Sequence, residues 1–288
     1  MKNAPRIINF ECDVACGGKC CYGAANITYK EVPFFVDKVP IIPSFSVLGA
    51  GDLPKRDKAY NARIKKAGVK IDVDTLGAGR TYYILMDFYF GSLASRNACI
   101  FLQDGLCSIY DDRPLKCRLL PAQPLVPESV GYAGAEWLRP MCPGVLSPGR
   151  TDKVFWKNGA FADRSVRTMT AEYLAALADH KKLAELLIGF ERQYSASLGE
   201  PSIVDRLVHN RLNAVEGETT QIVVDCSMAP FDEHTELFGM SGEEFARAQM
   251  KAFERYRAYD PQGYEASPTL RLQDHIIQAW LLELERTK

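Results

Sequence analysis

The sequence predicts an α+β fold, mainly helical, and three observations carry that prediction. Eight of the nine cysteines fall within the first 142 residues, and only Cys226 lies beyond. The same half sets short apolar runs between Gly- and Pro-rich breaks, the pattern of short strands and irregular loops. Beyond about residue 151 apolar residues recur at helical spacing. The expected organisation is a cysteine-rich, largely irregular metal-binding region over 1–150 and a helical region over 151–288 packed against it, without two independent domains.

Each element follows in order. Residues 8–25 hold the first cysteine cluster, where Gly17 and Gly18 allow tight turns. The segment 27–48, with Pro33, Pro40 and Pro43, reads as a short capped turn followed by extended chain: Thr28 with Glu31 resembles a capping box, so a helical turn near 29–37 is expected. Residues 49–80 read as loop-rich, with the basic run Lys55 to Lys66 on a solvated face. Residues 81–90 are aromatic and β-rich, a strand. Asp104-Gly105 between two apolar runs predicts a hairpin with Cys99 and Cys107 roughly opposite one another. Leu115 to Leu120 reads as a short helix, and the prolines of 121–150 impose irregular chain. Met169 to Leu198 is one long or two shorter amphipathic helices. Residues 203–214 look helical, and Gln221 to Asp225 is a short strand. Ser241 caps a helix running to about Tyr259. Pro268 opens a last helix reaching about Glu285. The late helices are expected to cover the metal site.

Composition limits the function classes. The chain has 288 residues, 47% apolar and 25% charged, so there is material for a sizeable core. A net charge of -1 gives no global pull toward nucleic acid or anionic membrane. No apolar run approaches the roughly 18–20 residues of a membrane span. No apolar signal-peptide core follows Met1 to Arg6, so a cytoplasmic location is expected. In a reducing compartment, clustered cysteines point to metal ligands or redox groups before disulfides.

The candidate ligands are Cys12, Cys16, Cys20, Cys21, Cys99, Cys107, Cys117 and Cys142. Thiolates are soft, charged donors that suit zinc or iron–sulfur centres. Cys12, Cys16 and Cys20 are four apart and can converge from one loop. Cys20 and Cys21 are adjacent, so their side chains diverge toward different metals, or one ligates and the other supports. Eight thiolates exceed one tetrahedral site and suffice for two, or for one cluster with spare thiols. Cys226 reads as a core thiol. Tyr110, Arg113 and Arg118 are the candidate cofactor-binding residues, able to hydrogen-bond cluster sulfurs, with a turn-stabilising ion pair as the bland reading of the arginines. Lys19 would lower thiolate pKa values or be solvated. The histidines His180, His209, His234 and His275 show no ligand spacing, and His234 is the first candidate among them to join a metal. No Walker, G-x-S-x-G or H-E-x-x-H motif occurs.

Two stretches resemble a known family. Phe10-x-Cys12…Cys16-Gly17…Cys20-Cys21, with Ile27-Thr28-x-x-Glu31, is followed by Cys99-x-Phe101-Leu102…Gly105-x-Cys107-Ser108-Ile109-Tyr110-x-x-Arg113-Pro114-x-x-Cys117-Arg118-x-x-Pro121. Together they resemble the CxxCxxCC zinc- or iron-chelating domain family, the YkgJ-like cysteine-cluster proteins, over about 10–144. Cys142-Pro143-Gly144 is similar to a later element of longer members, which include the flagellin lysine methylase. The first motif departs from the family pattern by one extra residue in each gap. The resemblance implies a cysteine-bound iron–sulfur or zinc centre. It also implies an enzymatic version, methyl transfer from S-adenosylmethionine to lysines of a protein substrate, although neither a glycine-rich methyl-donor signature nor the C-x3-C-x2-C run of radical enzymes is present.

Three readings follow from the residues. One is a metalloprotein holding an iron–sulfur cluster, 4Fe–4S favoured, with enzyme and non-enzyme left open. Another is a zinc-stapled structural or protein-interaction module. The third is metal handling or redox sensing.

Overall fold

A computed structural model describes residues 6–12, 18–22, 26–49, 58–75, 78–90, 99–131, 135, 139–140, 142–146, 152–199, 201–202, 205–206, 220–223 and 238–286. The fold is α+β and mainly helical, with strands concentrated in the N-terminal half and long helices in the C-terminal half.

Strand β1 is Ile7–Phe10 and β2 is Asn26–Ile27. A 3-10 turn over Tyr29–Glu31 leads into α1, Val32–Phe35, and then β3, Ile41–Gly49. Next come α2, Lys58–Ala67, β4, Val69–Thr75, and β5, Ala78–Phe90. The hairpin strands β6 and β7 are Leu102–Gln103 and Leu106–Cys107, followed by α3, Leu115–Leu119. Strands β8, β9 and β10 are Val145–Leu146, Val154–Lys157 and Ala160–Phe161. Helix α4 runs from Arg164 to Leu198, and β11 is Thr220–Val223. The chain ends in α5, Gly242–Tyr259, α6, Pro261–Ala266, and α7, Pro268–Arg286.

Two antiparallel sheets organise these elements. In the larger, β5 is central: β3 pairs one edge, β4 and β2 share the other at opposite ends, and β11 adds to β3. The smaller has the order β10-β9-β1-β8, so residues near the start pair with residues near 145–157. Glu11 extends this pairing, its N–H donating to the Gly144 carbonyl at 3.0 Å. A Cβ on Gly144 would meet that Glu11 backbone oxygen at 2.5 Å, which is why the Cys-Pro-Gly sequence ends in glycine.

Two apolar clusters lie on the sheets, and β5 contributes to both, through Ile84 and Met86 in the first and Tyr83 and Leu85 in the second. Phe35, Phe45, Ile84, Phe90, Phe253 and Tyr256 anchor the first, under α5 and α7. Ile8, Leu115, Leu119, Trp156, Phe161 and Tyr173 anchor the second. Helix α4 belongs to both, through Tyr173 and Leu177 in one and Leu183 and Leu187 in the other. It is one long helix, beginning five residues before Met169, because Asp163 caps it by accepting from Ser165 N–H at 2.7 Å. The predicted cap at Ser241 and the helix start at Pro268 hold, as do the short α3 and the strand at 81–90.

Residues 58–75 correct the loop-rich reading of 49–80. Val69 and Ile71 are buried and alternate with exposed Lys70 and Asp72, a half-buried strand paired to β5. In α2, Lys58, Lys65 and Lys66 are exposed, whereas Arg63 turns inward and donates to the carbonyls of Pro124 at 2.9 Å and Val126 at 2.8 Å. That fork ties down the Pro-rich chain. Buried Gln249 on α5 does similar work at the large sheet. Its Oε1 accepts from Ile41 N–H at 2.9 Å, and its Nε2 donates to Val36 O at 2.6 Å and Val39 O at 3.3 Å. No helix among the described residues is long and apolar enough to cross a membrane.

Candidate metal centre

Strand β5 ends at Phe90, against the floor of a cavity of about 380 Å³. Three segments bring six cysteines to its lining: Cys12, Cys20 and Cys21, then Cys99 and Cys107, then Cys117. Phe90, Phe101, Ile109 and Leu120 supply apolar wall, and among the described residues no histidine or carboxylate lines it. Cys99 is buried, Cys21, Cys107 and Cys117 are half-buried, and Cys12 and Cys20 are exposed. The cavity therefore runs from a dry floor to an open rim, where Leu106 and Tyr110 are also exposed.

The backbone sets these positions. Cys20 and Cys21 sit on a 3-10 turn, closed by Cys21 N–H donating to Gly18 O at 2.7 Å. Gly18 has φ +69°, and a Cβ there would meet Leu102 Cδ1 at 2.3 Å, so glycine lets the first cysteine loop lie against the hairpin. Cys99 N–H donates to Cys21 O at 2.8 Å, joining the two loops directly. The hairpin turns at Asp104 and Gly105, with φ 51° and 78°, the primed turn expected of Asp-Gly. Its register pairs Cys107 with Leu102, not with Cys99. Because the two-residue turn pairs residue 103 with 106, Cys99 lies beyond the ladder and reaches the cavity from below. Cys117 is central in α3.

The charge environment grades the thiols. A hydrogen bond from Cys21, backbone N–H groups and the Arg113 charge hold Cys20 well below the usual thiol range, at about 6, against burial. The same hydrogen bond, then burial, pushes Cys21 up. Burial raises Cys99 to about 11. It raises Cys117 to about 12, with Cys99, Cys20 and Cys107 adding to the effect. Several thiolates at once would repel one another in this apolar space. A cation bound among them removes that cost, so the donor set fits a thiophilic metal or cluster.

The other predicted site residues are placed as follows. Tyr110 and Arg113 line the cavity; the guanidinium stacks 3.6 Å from the Tyr110 ring centre, and Nε donates to Tyr110 O at 2.7 Å. Arg118 is exposed and lies outside the lining. Cys142 packs against the second apolar cluster instead of the cavity. Cys16, Cys226, His209 and His234 lie outside the described residues, as does the Lys19 side chain. His275 is exposed. His180 is buried, its Nε2 accepting from Tyr29 N–H at 2.9 Å and its Nδ1 3.0 Å from Met86 O. That pairing makes Nδ1 the protonated nitrogen of a neutral ring. Among the described residues no part of 151–288 lines the cavity, contrary to the expected cover by the late helices, because their apolar faces are buried on the sheets. No three described His, Cys, Asp or Glu side chains already stand in metal-cage geometry.

Sequence reasoning passed over one contributor. Glu31 entered it only as half of a capping box, yet its carboxylate also reaches α3. Nothing in the local sequence near Leu115 signals that contact.

Comparison with known proteins agrees with this chemistry. Residues 11–143 match the model of the CxxCxxCC family, described as a "Putative zinc- or iron-chelating domain". No curated protein and no solved structure matches the chain.

Proposed function

We propose that this chain, whose residues 11–143 carry the CxxCxxCC zinc- or iron-chelating domain, holds a polynuclear iron–sulfur centre in the six-cysteine cavity. The convergence of thiols from three segments on one cavity carries the proposal. A single tetrahedral ion needs four donors, and six are available. The cavity, about 380 Å³ and open at its rim, leaves room among these thiols for more than one metal ion.

Cys20, Cys21, Cys99, Cys107 and Cys117 would hold the centre, with Cys12 at the rim. Arg113, stacked on Tyr110, would place positive charge beside the sulfurs and raise the potential. Such a centre supplies one-electron chemistry and, where one iron lacks a protein ligand, a position for substrate. Methyl transfer from S-adenosylmethionine to a protein lysine is the enzymatic extension, supported by the resemblance alone.

The test is iron, zinc and acid-labile sulfide per chain on protein purified without oxygen. About four irons and four sulfides, with a brown colour, support the cluster. Zinc with no sulfide in a colourless protein sinks it and leaves a zinc centre in the same cavity.

A further inference from the structure

We infer that Glu31 is the positioning residue of this centre, a single carboxylate that locks the helix carrying Cys117 to the turn behind the first cysteine cluster. The inference rests on the metal-centre reading of the cavity.

The two carboxylate oxygens have separate duties. Oε2 accepts from Thr28 N–H and from the Thr28 hydroxyl, both at 2.8 Å. A capping box needs no more than this. Oε1 accepts from Leu115 N–H at 2.6 Å, across 84 residues of chain. Leu115 is the first residue of α3, and Cys117 follows two positions later.

The turn is itself fixed from behind. Tyr29 N–H donates to His180 Nε2, and the Tyr29 hydroxyl donates to Asp179 at 2.9 Å, both on α4. Asn26 and Ile27 pair with Tyr89 and Phe88 on β5. Glu31 thus hands a frame built from α4 and β5 to a five-residue helix that is too short to be rigid alone. An ionised carboxylate suits the task because it only accepts, and all three partners donate. A glutamine has one accepting end, so its amide nitrogen would face a donor at Thr28 or at Leu115.

The test uses the full chain loaded with cobalt(II) or zinc. Glu31→Gln and Glu31→Ala are compared with wild type, Cys117→Ser and Gln249→Ala, the last a destabilising change remote from the cavity. Three readouts are metal affinity, sulfur-to-cobalt charge-transfer absorption per bound cobalt, and Cys117 alkylation by iodoacetamide read on the peptide. Both Glu31 variants should bind metal about 10–100-fold more weakly. Their charge-transfer intensity per cobalt should fall toward that of Cys117→Ser, and Cys117 should alkylate about tenfold faster. Gln249→Ala should keep the wild-type intensity. Glu31→Gln with wild-type intensity and alkylation overturns the inference, as does a variant that merely loses stability as Gln249→Ala does. A wild type that takes up neither cobalt, zinc nor, on anaerobic reconstitution, iron with sulfide, while Glu31→Gln still speeds Cys117 alkylation, sinks the metal-centre reading and leaves the Glu31 contact standing.

Discussion

Acidification should weaken metal binding steeply, and the slope counts the ligands that hold protons in the free protein. Protons and metal compete for the same sulfurs. Burial holds Cys99 at about 11 and Cys117 at about 12, so both carry protons throughout the range from pH 7 to 8. Each must lose one to bind, which contributes a factor of ten per pH unit. These two thiols alone give at least about a hundredfold loss of affinity from pH 8 to 7, about 2.7 kcal/mol, and any further ligand that carries a proton at pH 8 adds to it. Cys21, also pushed up, makes the loss about a thousandfold if it ligates as well. Cys20, at about 6, is already mostly thiolate above pH 7 and adds its factor only on further acidification. The assay is zinc competition against a chelator of known affinity at pH 7, 7.5 and 8. Cys99→Ser and Cys117→Ser should each lower the slope by one. A wild-type slope of one or less would refute the reasoning, since Cys99 and Cys117 could not then both be ligands.

Further expectations concern single residues. Gly18→Ala puts a side chain at a positive φ and displaces the Leu102 side chain, so the strained turn should disturb the Cys20–Cys21 loop and lower metal content at unchanged helicity, read by metal analysis and circular dichroism. Gln249→Ala leaves the Ile41 N–H and the Val36 and Val39 carbonyls without their side-chain partner, and should cost about 3 kcal/mol in denaturant unfolding. His180 is held neutral by burial, below the ordinary 6.5, so the unfolded chain binds a proton that the folded chain refuses. Stability from this group is full above pH 6.5 and falls with acidification, by up to 1.36 kcal/mol per pH unit. His180→Gln should be less stable than wild type at pH 7.5, with the gap narrowing toward pH 5.

Much of this was legible in the sequence because the signals were local. The Ser241 and Glu244 pattern makes its box, and Asp104-Gly105 makes its primed turn. Strand β4 was also legible, since Val69 and Ile71 alternate with Lys70 and Asp72, but the glycines at 49–51 and 77–79 drew the reading toward loop. Convergence of the cysteines was readable as chemistry and not as geometry. Spacing alone could not show that a two-residue turn leaves Cys99 outside the ladder, that Cys142 packs against the second apolar cluster, or that Glu31 spans to Leu115. Those depend on tertiary register, which no short window of sequence contains.

The pairing of Phe10 with Val145 joins the residue just before the family match to the second residue after it, the match running from 11 to 143. The matched segment is therefore a closed loop hung from a two-strand stem. Closing about 135 residues costs only about 2 kcal/mol more than closing ten, because the entropy grows with the logarithm of length. A segment whose ends already touch can be spliced into a host at a single point without pulling the host apart. The antiparallel stem accounts for that closure alone: β3 to β5 inside the loop still share their core with α4, α5 and α7, so a graft would need helices that present an equivalent apolar face.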